Sequence, residues 1–139
     1  MRWLGEQLDA DERIARESIE QAAVHLAGAE SSSVSVWRVV DRLATGTFVA
    51  TCDQWGRETE VVPTYGGAHA EHIAAHDPAR VLREVDAKRQ IVALHTRAHH
   101  QCVAEDGPTQ WHVADPCASL RLLAVPYADR PGYQGSWRP

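Results

Sequence analysis

The sequence has no apolar run approaching the ~20 residues that a membrane span requires. Its start, MRWLGEQLDADERI, has no apolar core and no cleavage signal, so it does not read as a secretory leader. Both absences set the expected location in the cytoplasm, with no membrane partner. Cysteine is scarce. Cys52, Cys102 and Cys117 are the only 3, an odd number that argues against a disulfide framework and for a metal or plain burial. Positive charge is short too: 14 Lys and Arg face 19 Asp and Glu, leaving a net charge of −5. Nucleic acid is therefore not an expected partner, because its backbone usually demands a basic patch. Arg80, Arg83, Lys88, Arg89 and Arg97 do cluster, but Glu84 and Asp86 alternate with them, as on a solvated helix face. No G-x-S-x-G elbow, P-loop or G-x-G-x-x-G occurs, and no internal repeat or low-complexity tract. No reaction or substrate follows from the sequence, and the reading inclines to a non-enzyme.

What is present reads as one α+β domain over residues 1–139. Residues 3–27 have Leu4, Leu8, Ala15, Ile19, Ala22 and Leu26 at spacings of three, four and seven, an amphipathic helix that Gly28 stops. The stretches VSVWRVV, TFVATC and ETEVV suit strands, with turns at ATGT and QWGR, and predict a small three-stranded antiparallel sheet. The strand-end Cys52 reads as core rather than nucleophile. After PTYGGA comes a helix pair broken at His76-Asp77-Pro78, about 68–75 and 78–95. Asp77 would cap the second helix and Pro78 take its first position. On that helix Val81, Val85 and Val92 lie within roughly 40° of one another and would face the core. A second Asp-Pro pair, Asp115-Pro116, would open a short C-terminal helix that Pro126 ends. Tyr127, Tyr133 and Trp137 of the aperiodic tail would pack onto the body.

The chemistry is concentrated in HTRAHHQCVAEDGPTQWHVADPC, residues 95–117. Zinc takes four thiolate or imidazole ligands in a tetrahedron. His99 and Cys102 form an H-x2-C pair, a spacing that lets a tight turn aim both at one ion. Cys117 would start a helix, where dipole and free N–H groups favour thiolate. The fourth ligand is open: His95 ends the long helix, and His112 sits nearer Cys117. The preferred set is His95, His99, Cys102 and Cys117, with His100 and His112 as substitutes and VAEDGPTQWHVA as an excursion between ligands. Four protein ligands would close the site, making the zinc structural: a zinc-stapled loop. The competing reading is a histidine-rich loop without metal, with Cys117 buried as an apolar residue.

A second cluster, AHAEHIAAH, holds His69, His72 and His76. His72 and His76 are four apart, so one helix face could present both, with Glu71 beside them. The acid precedes the first histidine, so this is not H-E-x-x-H, and a hydrolytic site would need a third ligand. The competing reading is surface histidines at a helix junction.

The stretches LDADERIARE, AEHIAAHDPARVLREVDAKRQIVALH, PCASLRLLAVPYADRPGY and SWRP together resemble an uncharacterised family of small proteins from actinobacteria and their phages, a domain of unknown function. Its members carry a histidine, a C-x2-C loop and a helix-start cysteine. By that resemblance the histidine falls on His95, the two loop cysteines on His99 and Cys102, and the last on Cys117. His99 departs from the pattern, as an imidazole replacing a thiolate. The expected function is a non-enzymatic accessory or binding protein with a zinc staple, whose partner is a protein or small ligand. The alternatives are a metal-dependent hydrolase or nuclease at His72 and His76 with Glu71 or Asp77, and a nucleic-acid-binding regulator using Arg80, Arg83, Lys88 and Arg89.

Overall fold

Helix α1, Arg2–His25, follows the leucine and alanine spacing closely: Leu4, Leu8, Ala15 and Ile19 are buried, while charged residues fill most of the remaining faces. Three i,i+4 pairs, Arg2–Glu6, Glu12–Arg16 and Arg13–Glu17, lie on those faces. Each adds only a few tenths of a kcal/mol in such exposed positions. The computed structural model describes residues 2–25, 36–42, 46–52, 55–64, 66–96, 101–104, 107–111 and 116–138. Leu26, Gly28 and the serines at 31–33 lie outside them.

The architecture is α+β. Strands β1 (Trp37–Arg42), β2 (Gly46–Cys52) and β3 (Glu58–Pro63) form an antiparallel sheet in the order β1-β2-β3, the expected meander. Gly56 adopts φ 81° at the β2–β3 connection, a conformation that glycine enters without a Cβ penalty. In β2, Phe48, Val49, Ala50 and Thr51 are all buried. Successive strand residues point to opposite faces, so four buried in a row means both faces are covered. One cover is α2 (Gly67–Ala75), which lies against β1 and β2. Cys52 is half-buried at the end of β2, and the Arg38 guanidinium from the neighbouring strand donates to its sulfur.

Helix α3, Pro78–His95, has the predicted bounds. Asp77 caps it: Oδ1 accepts the backbone N–H of Arg80 at 2.6 Å, and Pro78 occupies the first turn, where no N–H is needed. Arg80 also ties the junction together, donating to the Ala75 carbonyl at 2.8 Å and to Glu84 at 2.7 Å. The valine stripe is graded. Val85 is buried, whereas Val81 and Val92 are half-buried.

Beyond α3 the structure departs from the sequence reading three times. A hairpin, β4 (Gln101–Ala104) paired with β5 (Gly107–Trp111), starts before Cys102 and runs into the excursion between ligands. Helix α4 spans Ala118–Ala124, with Cys117 at its N-cap and no side-chain capping bond. The Asp-Pro device therefore does not open this helix. Pro116 precedes the cap, and Asp115 lies outside the described residues. The Cys117 side chain is turned inward instead, 2% exposed against Leu120, Val92 and Leu123. Pro126 does not end the helix abruptly but sits in a 3-10 turn, Val125–Tyr127, that continues it.

The chain packs as two compact units: Asp11–Glu84, and Met1–Ala10 with Val85–Pro139. The first contains the sheet, α2, and a cluster of Ile19 with Ala22, Ala23 and Leu82. The second contains α4, the β4–β5 hairpin and an aromatic knot. Trp3 packs at a tilt against Trp137 (ring centroids 5.2 Å apart) and edge-on against Tyr133 (5.9 Å), and its indole N–H donates to the Pro131 carbonyl at 2.9 Å. Tyr127 is buried, with Arg130 over its ring and the Lys88 ammonium 3.3 Å from its hydroxyl. The tail aromatics thus pack as expected. Their partner Trp3 is the unforeseen member, since it lies off the leucine stripe.

Candidate metal centre

Of the predicted zinc ligands, two come together. Helix α3 ends at His95, whose ring is half-buried, and the Cys117 backbone is extended (φ −69°, ψ 168°) as it enters α4. The Cys117 sulfur faces His95 Nδ1 at 3.5 Å. Two chemical descriptions suit this distance. One is an S–H···N hydrogen bond. The other is an edge of a zinc tetrahedron: Zn–S near 2.3 Å and Zn–N near 2.05 Å at a tetrahedral angle put sulfur and nitrogen about 3.6 Å apart. The donor types fit zinc, and the sulfur is shielded from solvent. β4, which bears Cys102, lies against α4, which begins one residue after Cys117. His99, His100 and His112 lie outside the described residues, as does the Cys102 side chain.

The second predicted cluster is at the end of α2. His72 and His76 are both exposed, with ring centroids 4.5 Å apart and planes inclined at 45°. His76 has left the helix (φ −111°, ψ 38°), and its Nδ1 lies 2.8 Å from the His72 carbonyl oxygen. His69 and Glu71 are exposed on the same helix. Among the described residues no three His, Cys, Asp or Glu side chains converge to hold a metal.

The basic segment is largely engaged within the chain. Arg80 holds Glu84 and the Ala75 carbonyl, Lys88 approaches Tyr127, and Arg89 pairs with Asp9 at 2.6 Å. Arg83 is exposed, and Arg97 lies outside the described residues. Sequence reasoning missed the bridging role of Arg80. The signal was available in its position, three residues past the capping Asp77 and four before Glu84.

No helix among the described residues is long and apolar enough to cross a membrane. Comparison with curated proteins and with solved structures gave no significant match. A family model does match, over residues 1–139, in keeping with the long Ala-Glu-His-Ile…Asp-Pro-Ala-Arg motif; the chain belongs to DUF6221, a family of unknown function.

Proposed function

We propose that the chain is a small non-enzymatic accessory or binding protein, acting on a protein or small-ligand partner, with its C-terminal region held by a structural zinc. The ligands in this reading are His95, His99, Cys102 and Cys117, with His100 and His112 as substitutes. The observation that carries it is the approach of Cys117 Sγ to His95 Nδ1 at 3.5 Å, at the junction of α3 and α4. Packing of β4 against α4 supports it, because that strand bears Cys102. Four protein ligands leave zinc no open position, so the metal would cross-link the chain and not activate water. The resemblance to proteins of actinobacteria and their phages adds the setting of an accessory gene product.

Native mass spectrometry tests the reading directly. Protein purified without chelator is expected to hold one zinc per chain. Cys102→Ser and Cys117→Ser should each lose it, and chelation should lower the melting temperature of the wild type. Metal-free wild type that melts unchanged in chelator would leave the His95–Cys117 contact as an ordinary hydrogen bond and sink the staple.

A further inference from the structure

The His72–His76 pair has a feature that its spacing alone does not supply. A carbonyl oxygen only accepts hydrogen bonds, so the 2.8 Å contact to the His72 carbonyl requires a proton on Nδ1 of His76. In the neutral ring, Nε2 then carries the lone pair. Metal-binding histidines are held this way: the distal ring N–H rests on a backbone carbonyl, which fixes the tautomer and aims the ligating nitrogen. The His72 ring stands beside it, 4.5 Å between centroids. Both rings are exposed, so small rotations bring two nitrogens onto one ion without disturbing the core.

We propose that His72 and His76 form a two-imidazole clamp for an exchangeable late first-row divalent ion, Cu(II) or Ni(II). Imidazole suits these ions, and the Irving–Williams order places Cu(II) highest. Glu71 is not a ligand, because neighbouring helix residues point about 100° apart. With no third protein ligand among the described residues, water fills the remaining positions and the ion exchanges freely. The clamp uses other residues than the proposed zinc staple and does not rest on it.

The test is calorimetric titration of the dialysed full chain with Ni(II) alone, with Cu(II) paramagnetic resonance to count bound nitrogens. His72→Ala and His76→Ala should each weaken Ni(II) binding about tenfold or more, by loss of the chelate. The double variant, with neither imidazole left, should bind no more tightly than either single one. His69→Ala should leave binding unchanged. His72→Ala is the decisive variant: the carbonyl that fixes His76 belongs to the backbone and stays, so its loss of binding reports a ligand and not a broken junction. Equal affinity in wild type and both single variants overturns the clamp, leaving isolated surface imidazoles. Loss in His69→Ala with retention in His76→Ala also overturns it.

Discussion

Replacing Asp77 by alanine removes one hydrogen bond at the turn where α2 hands the chain to α3. Its carboxylate accepts the Arg80 N–H at 2.6 Å and the residue is 8% exposed. Loss of an aspartate cap ordinarily costs about 1 kcal/mol and up to about 2. Here the bond is short and part-buried, so the N–H left without its acceptor adds part of the about 1–3 kcal/mol that a stranded buried donor costs. We expect Asp77→Ala to destabilise by about 2 kcal/mol, a fall of roughly 7 °C in melting temperature for a chain of this size. Asp77→Asn keeps an acceptor oxygen and loses only the interaction of charge with the helix dipole, about 0.5 kcal/mol. Urea and thermal unfolding followed by far-ultraviolet circular dichroism reads both. An alanine variant within about 0.5 kcal/mol of wild type would refute the capping argument. So would an asparagine variant as costly as the alanine one.

Other substitutions separate strong contacts from weak ones. Gly132 has φ 89°, and a Cβ there would lie 2.7 Å from Trp3 Nε1. Gly132→Ala should cost about 2 kcal/mol, and less in a Trp3→Ala background, as a double-mutant cycle of urea midpoints would show. Leu120 is fully buried beside Cys117, so Leu120→Ala should cost about 3 kcal/mol in the same assay. Arg89→Ala breaks an ion pair whose side chains are 37% and 70% exposed. It should cost under about 1 kcal/mol, and its effect should fade when salt is raised in the unfolding buffer.

Legibility in the sequence follows periodicity and local chemistry. The α3 bounds are readable because Asp77 and Pro78 act within one turn and nothing larger opposes them. The same Asp-Pro pair misleads at residue 116. There the burial of Cys117 beside Leu120 sets where α4 begins, and burial is a tertiary fact. The β4–β5 hairpin is masked by its shortness and by Pro108, which weakens a strand pattern, although Asp106-Gly107 is a hairpin signal. At the candidate metal centre, residue types and spacing name Cys117 and leave His95 and His112 as alternatives; the structure brings His95 to Cys117. The choice of Nδ1 over Nε2 as the facing nitrogen is invisible, since ring orientation depends on how α3 and α4 pack. Likewise the His76 tautomer follows from its exit from helical geometry, which no spacing rule encodes.

The aromatic knot bears on how the chain is made. Trp3 waits for Pro131, Tyr133 and Trp137, whereas the unit of Asp11–Glu84 is contiguous in sequence. At synthesis rates of about 5–20 residues per second, the first turn of α1 spends on the order of ten seconds without its partners. During that interval its indole lacks the ring contacts and the carbonyl acceptor that cover it in the folded chain. The contiguous unit has all its own residues well before translation reaches the tail.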